Sequence, residues 1–582
     1  MKILLNILIL FSSVSVVAQI PLHIDAPERL KQLENSGYSV GELAFGLSKK
    51  AESNKELLKS ADYEFLAHVL QIDFSELMTK DSKLGPSMKK HHRLFDERWL
   101  GSDKATFELV GVVHRLERSS FNPGTCGELR FIYRLAYKVL AKDLIYSRLP
   151  MTMNLVFTLP KGKNGSCTTI TAEWKKFVDR SEKPKSLTFK SVEVNLQSVR
   201  WPSTIRPDMG GYAEYILRVF KKKGPKFYTA ELENTPDVMK LKSNPALKEK
   251  LMTWLKEPRQ MKAVDEGVLN IPAEFLATRA VSVALTGTHR LANAPFTQVF
   301  TEEDFKELNL TGFSTFKSAA GLFKRLNDHS CMGCHQGRTV AGFHFLGKDR
   351  AETDAVNAIF TSASPHFLLD QPRRMNFFEA AEKGKKGIEA RPVSVRAKLG
   401  EGGMGSHCGL GDPSFSKWIC LPGFECARMI DDNKISPTGV CMPIKPQAGS
   451  YCLPGKTIMN TDPHKDAVKV LGMKSCGEAQ HCEAVSVGFP GGMCSRGCTN
   501  LTSDETCGSI AVLNSFNSCL ARRKDPFAKC LSDNVRPAAL QACDDKRMCR
   551  DDYICARTGA GVGACIPPYF LFQLRVDGHP EL

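Results

Sequence analysis

The chain has no apolar run near the roughly 20 residues that a membrane-spanning helix needs. It contains no G-x-S-x-G, no H-E-x-x-H and no P-loop, which removes the local signatures of a hydrolase elbow, a zinc-protease helix and a phosphate cradle. No nucleic-acid-binding motif accompanies its basic residues. Cysteine is scarce in the first 330 residues, where only Cys126 and Cys167 occur. Acidic residues are outnumbered, so the formal charge is +16. Such a chain is drawn to anionic surfaces, although the Lys and Arg are scattered apart from short groups such as Lys221-Lys222-Lys223, and dispersed charge of this kind mainly aids solubility.

What is present begins with a leader. Met1-Lys2 precedes a mostly apolar run from Ile3 to Phe11 and a small-residue stretch ending at Ala18, which reads as a signal peptide over 1–18. No Cys follows the cut, so a lipid anchor is not expected. The mature protein is expected in the periplasm or outside the cell, and twenty Cys suit an oxidising compartment.

Four regions follow. Residues 19–104 read as a helical leader, with apolar residues at helical spacing and no Gly or Pro over Ala51–Leu70. Residues 105–234 turn to short alternating runs: Phe107–Val113, Leu129–Tyr133, Met153–Thr158, Val192–Val199, Tyr212–Phe220 and Phe227–Leu232. Cys126 and Cys167 each follow a turn signal in this β-rich region and are expected to pair, closing a loop worth about 4 kcal/mol by chain entropy. Helical pattern returns over 235–396, where Pro236 and Pro272 open segments, Thr301-Glu-Glu-Asp304 forms a capping box, and a helix over Thr315–His329 runs into Cys331. Residues 397–582 open on a Gly-rich linker and then carry sixteen Cys between Cys408 and Cys565, the density of a disulfide scaffold. Within it, Cys420-x5-Cys426, Cys476-x5-Cys482 and Cys549-x5-Cys555 are each followed by Gly-x-Cys, a weak internal repeat. An earlier Cys (Cys408, Cys452 or Cys543) can complete each unit, but connectivity does not follow from spacing.

The strongest motif is Cys331-Met332-Gly333-Cys334-His335. C-x-x-C-H is the attachment signature of haem c: two thiols add to the vinyl groups on one porphyrin edge, and the adjacent His reaches the iron. The Gly before the second Cys gives the turn room to pack against the ring. Around this motif, over about ninety residues, the chain resembles the cytochrome c family, whose members often show C-x-G-C-H at the end of a helix. That resemblance implies thioethers at Cys331 and Cys334, proximal ligation by His335, and a helical haem c (iron) domain. As a whole the chain looks like a poorly characterised group of exported bacterial proteins with one C-x-x-C-H after a β-rich segment. A second C-x-x-C-H is absent, which argues against a dihaem peroxidase.

Three plainer readings compete. One is a structural Cys331–Cys334 disulfide. Another is a thioredoxin-like pair, which wants a preceding strand rather than a helix. A zinc site needs further ligands, and only His329 and His344 are close in sequence. For the distal iron position the candidates are Met375 and His366, with His344 near in sequence and an open position as the alternative. Arg338, Arg373 and Arg374 suit propionates, though surface charge is the simpler role for each. Phe343, Phe345 and Leu346 can wall a crevice or belong to a core.

The expected fold class is α+β multidomain: a β-rich N-terminal domain, a helical cytochrome c-like domain and disulfide-rich C-terminal modules. The expected function is electron transfer or redox sensing by one covalent haem, with an unidentified redox partner. The rival is an extracellular or cell-surface binding or adhesion protein that uses the cystine modules. A haem-dependent oxidoreductase such as a peroxidase ranks third, and no catalytic residue is named for it.

Overall fold

The computed structural model describes residues 21–82, 95–139, 145–162, 164–180, 187–199, 213–284, 293–336, 365–385, 407–431 and 434–446, with isolated positions and short strands elsewhere. The leader peptide falls outside these residues.

One antiparallel sheet organises the chain. Its strands are β1 (His23–Ile24), β2 (Ala105–Arg115), β3 (Thr125–Val139), β4 (Ile145–Pro160), β5 (Thr188–Val199), β6 (Ala213–Lys223), β7 (Lys226–Ala230) and β8 (Arg279–Ala284). They lie in sequence order from β1 to β7, and β8 also pairs with β6. The last two strands share one edge of β6: β8 occupies Ala213–Arg218 and β7 occupies Val219–Lys223. Lys223 and Lys226 face each other across the tight β6–β7 turn, where Gly224 takes φ 62°. A positive φ there suits the right-handed twist of a short hairpin and is free of strain only for glycine.

Each alternating run expected as a strand overlies one of these strands. On β4, Leu149, Met151, Met153, Leu155 and Phe157 point to one face and are buried. That face is the inner one, covered by α1 (Pro27–Glu34), α2 (Val40–Ala44), α3 (Asn54–Leu57), α4 (Ala61–Ser82) and α5 (Thr168–Arg180). Helix α4 presents Tyr63, Leu66, Leu70, Phe74 and Leu77 to it. Each such side chain, fully buried, contributes about 1.5–3 kcal/mol. Cys126 and Cys167, expected to pair, are joined in a disulfide that ties the start of β3 to the segment entering α5.

Beyond β7 come α6 (Val238–Ser243), α7 (Pro245–Lys256), α8 (Pro258–Glu266), α9 (Pro295–Val299), α10 (Ala319–His329), α11 (Cys331–Gln336) and α12 (Pro365–Glu382). The prolines that open helices here are Pro245, Pro258, Pro295 and Pro365. Pro236 instead bridges Leu276, and Pro272 precedes a single 3-10 turn. The capping box at Thr301 and Asp304 is present, on the 3-10 turn Glu302–Phe305. Helices α6 to α10 share a second core that includes Leu251, Leu255, Phe296, Phe316, Phe323 and Leu326.

This architecture overturns the expected fold class. An eight-stranded antiparallel sheet dominates the described residues, and no separate helical cytochrome c-like domain is shown among them. The sheet draws β1 from the stretch read as a helical leader and β8 from the stretch read as a haem domain. The physical reason lies in what the motif buries. Cys331 and Met332 pack on Tyr215, Leu217, Leu232 and Ala280 around β6 and β8, not on the helical core beside them.

Disulfides do occur in the C-terminal part. Cys408–Cys426 and Cys420–Cys441 fasten the sheet formed by His407–Gly409, Thr438–Pro443 and Phe424–Ala427. The repeat seen in the sequence has a backbone counterpart. Cys426 faces Cys441, Cys482 faces Cys494 and Cys555 faces Cys565 in three antiparallel hairpins.

Candidate functional site

The motif helix is positioned by the helix before it. Ser318 caps α10 by accepting the Gly321 N–H at 2.9 Å. The last two turns of α10 are buried, and several of their polar groups are paired. Lys324 and Asp328 form an ion pair at 3.0 Å with almost no exposure. Arg325 donates to the Val264 and Asp265 carbonyls, each at 3.0 Å. Asn327 accepts from Phe296 N at 2.9 Å and donates to Thr297 Oγ1 at 2.8 Å. Such buried polar groups are tolerable only when paired, and once paired they hold the helix in one place.

Ser330 is extended, which ends α10 and lets the chain restart as α11. Its hydroxyl donates to Asn327 O at 2.7 Å and accepts from Gly333 N at 3.0 Å. The Cys331 N–H is donated to Thr235 Oγ1 at 2.9 Å, and Cys331 Sγ lies 3.5 Å from Glu233 O. Ser282 on β8 donates its hydroxyl to Met332 O at 3.4 Å. A short helix leaves its first N–H groups without internal acceptors, and here Ser330 and Thr235 supply two of them.

Gly333 has a different reason from the one its spacing suggested. A Cβ at this position would stand 2.0 Å from Asn327 O and 3.3 Å from Asn293 O. The missing side chain therefore admits the carboxyl end of α10, rather than clearing a ring.

Cys331 is half-buried at the first position of α11. Cys334 and His335 follow within the same helix, Cys334 one turn on, where residues three apart share a face; their side chains lie outside the described residues. His366 sits in α12, and its side chain also lies outside them. Met375, also in α12, is half-buried against the inner-face core that contains Phe377 and Phe378. Cys331 and Met332 instead pack with Tyr215 and Leu217, whose neighbour Ile216 points to that inner core. The structure thus does not bring Met375 to the motif. Phe345 packs with Val110, Val113, Ile132 and Phe367, so it is core. His344, Arg338, Phe343 and Leu346 fall outside the described residues. His329 is buried at the end of α10.

Arg373 and Arg374 are not surface charges. Both pair with Asp370, at 2.8 and 2.6 Å, with side chains at most 4% exposed. They end a buried ionic network that the sequence reading missed. Arg115 bonds Glu117 at 2.7 Å, and Arg374 lies 3.8 Å from the same carboxylate. Glu128 receives Arg130 and Lys190 at 2.6 Å each and Arg118 at 3.6 Å. Arg130 also reaches Glu193 at 2.6 Å, and Arg118 binds Glu233 through both terminal nitrogens. Burial alone would raise the Glu128 carboxyl, but Arg130, Arg118 and Lys190 override it and hold it well below the usual carboxylate range. Burial pulls the Arg115 guanidinium down to about 9 against the attraction of Glu117. The available signal was the i, i+2 repeat of Glu128 and Arg130 on one strand face, which on an ordinary sheet reads as a wet surface.

The network meets the motif at Glu233, whose carboxylate holds Arg118 while its carbonyl faces Cys331 Sγ. Elsewhere, the sulfurs of Cys408, Cys420 and Cys441 lie within 4.8 Å of one another. They belong to two adjacent disulfides, and a disulfide sulfur is not the thiolate that a metal requires. Comparison with known protein families, with curated proteins and with solved structures finds no match for this chain.

Proposed function

We propose that this chain is an exported redox protein carrying one covalent haem c on α11, attached through Cys331 and Cys334 and ligated by His335, and that it works in electron transfer or redox sensing. The observation that carries the reading is the placement of C-x-x-C-H. All five residues share one short helix, and its first Cys is fixed at backbone and sulfur by a distant turn. The donor set suits the group, since thioether formation needs two thiols one helical turn apart and a neighbouring imidazole. When bound, the haem would supply the one-electron couple, and the protein would tune it by ligation and burial.

The chain's own residues then have defined work. Thr235, Ser282 and Ser330 hold the motif helix on the outer face of the sheet. Tyr215, Leu217 and Ala280 give the helix an apolar floor. With Met375 in the inner core, His366 is the remaining named candidate for the distal position, and an open position is its rival. Export is supported by the Cys126–Cys167, Cys408–Cys426 and Cys420–Cys441 disulfides, which persist in oxidising compartments.

The test is covalent haem. Protein made in a host with cytochrome c maturation should keep haem staining after boiling in acid and detergent, and its pyridine haemochrome should show thioether-linked haem. Cys331→Ala with Cys334→Ala should abolish both without stopping export. Wild type that carries no haem would turn the assignment toward the second reading, a surface binding protein, which the three like-registered cystine hairpins favour.

A further inference from the structure

The turn Glu233-Asn234-Thr235 lies almost a hundred residues before the motif, yet it meets Cys331 twice. Thr235 Oγ1 accepts the Cys331 N–H at 2.9 Å, and Glu233 O lies 3.5 Å from the sulfur. The residue between them is the one described non-glycine position with positive φ: Asn234 sits at φ 49° and is 1% exposed. A buried side chain in this region is uncommon, and Asn tolerates it best among side-chain-bearing residues.

Asn234 is held there by tertiary contacts. Its Nδ2 donates to Leu269 O at 2.7 Å and its Oδ1 accepts Ile271 N at 3.0 Å. The flanks are fixed as well: Leu232 N donates to Ala277 O at 2.8 Å, and Ala277 N donates back to Thr235 O at 2.9 Å. Thr235 Oγ1 also donates to Glu233 O at 3.1 Å, so the hydroxyl links the two groups that touch Cys331. Strain retained at a buried position persists only where the surroundings over-determine it, and such positions gather at functional sites.

We infer that Glu233-Asn234-Thr235 is a positioning element for the Cys331 sulfur, built to present it for bond formation at the motif; this rests on the covalent-haem reading. The reaction it serves consumes nothing else. The Cys331 thiol adds across a vinyl double bond, sulfur to one carbon and hydrogen to the other, so a C–S bond forms and no electrons are exchanged with a partner. The Thr235 hydroxyl fixes the backbone from which the sulfur hangs, and the Glu233 carbonyl restricts its swing. Placement of a reacting atom is worth more than its intrinsic reactivity when the geometry is preset. None of the three residues touches the reacting vinyl carbon, so they are positioning residues.

The experiment uses full-length protein produced with haem maturation, compared as wild type, Thr235→Val, Thr235→Ser and Asn234→Gly. After denaturation, alkylation with iodoacetamide and trypsin digestion, peptide mass analysis separates chains with two thioethers from chains attached through Cys334 alone: the two have the same mass until the free Cys331 thiol of the second takes up the label. In T235V the ratio of doubly to singly attached chains should fall about fivefold, the change expected when one hydrogen bond of ordinary net strength is lost. T235S, which keeps the hydroxyl, should restore it. N234G accepts the same φ but drops both side-chain bonds, and should fall with T235V. Circular dichroism at the growth temperature shows that the variants compared are folded. Unchanged ratios in folded T235V and N234G would overturn the inference. If no preparation carries haem, wild type included, the parent reading fails separately. The turn is then judged, after mild reduction, by the rate at which iodoacetamide modifies Cys331 in folded protein. About fivefold faster reaction in T235V and N234G, but not in T235S, would sustain the positioning role, and equal rates in all four would end it.

Discussion

His114 should make the main sheet sensitive to mild acid. It lies on β2, 2% exposed, with its ring 5.2 Å from Trp174 and 5.6 Å from Phe378. Neither ring nitrogen has a hydrogen-bond partner. Burial pushes its pKa down from the usual 6.5 to about 4, with Glu117 pulling weakly the other way. Above pH 6.5 the imidazole is neutral in both folded and unfolded chains and costs nothing by titration. As pH falls below 6.5 the unfolded chain takes up a proton that the folded chain refuses until about pH 4. Stability is therefore lost as pH falls through that window, and the loss stops growing below it. A gap of about two and a half pKa units corresponds to about 3 kcal/mol in full, most of it spent by pH 4.5. The carboxyls of Glu117 and Glu128 are also held below their usual range, so their own contribution begins to fall near pH 4.5 as the unfolded chain takes up protons there; a His114 variant keeps that contribution, and it cancels in the comparison. Hydrogen exchange over Ala105–Arg115 suits the measurement, because a chain with several cores does not unfold as one unit. After correction for intrinsic exchange, the opening free energy should drop by about 2 to 3 kcal/mol more from pH 7 to pH 4.5 in wild type than in His114→Phe. Equal pH slopes in the two proteins would refute the reasoning.

Three other outcomes are expected. Glu128→Gln leaves Arg130 and Arg118 short of a buried counter-charge, and thermal or urea denaturation should show a loss of about 3–5 kcal/mol. Gly333→Ala drives a methyl into Asn327 O and should destabilise the α10–α11 junction by about 1–3 kcal/mol, read as a lower melting temperature and reduced haem staining. In the tail, non-reducing peptide mapping should find Cys476–Cys494 and Cys549–Cys565, because their hairpins repeat the register in which Cys420 joins Cys441; Cys476 or Cys549 joined elsewhere would show that the modules differ in wiring.

Strands were legible where burial imposed a period of two. On β4, Met151, Met153, Leu155 and Phe157 recur every second residue on the inner face, although Asn154 and Val156 between them are buried as well. Two strands escaped: β1 has only two residues, and β8, longer than the legible β7, lies in a stretch read as helical. Sequence distance misled at Met375. Its position forty residues past His335 suggested a ligand, but α12 turns that residue to the same core as Phe377 and Phe378. The ionic network was hidden for another reason. Glu128, Arg130, Arg373 and Arg374 carry the residue types of a wet surface, and only tertiary cover makes them interior. Nor could local sequence reveal the hold on Cys331, since Thr235 is brought to it by the pairing of the chain around Ala277.

The first cystine module is moored to α10, the helix that leads into the motif. Lys317 N donates to Ser414 Oγ at 2.8 Å, Ser318 Oγ donates to Asp412 Oδ2 at 2.6 Å, and a Cβ on Gly321 would stand 2.0 Å from Ser414 Oγ. In mechanical terms this seam is a load path. Tension on the tail is carried by covalent sulfur links within the module and reaches the amino end of α10 through the hydrogen bonds that join Lys317 and Ser318 to Asp412 and Ser414. Those bonds are the fuse: they part long before a disulfide does. A pull on the far end of this protein would therefore be felt first by the helix that leads into Cys331, and only afterwards by the sheet beneath it.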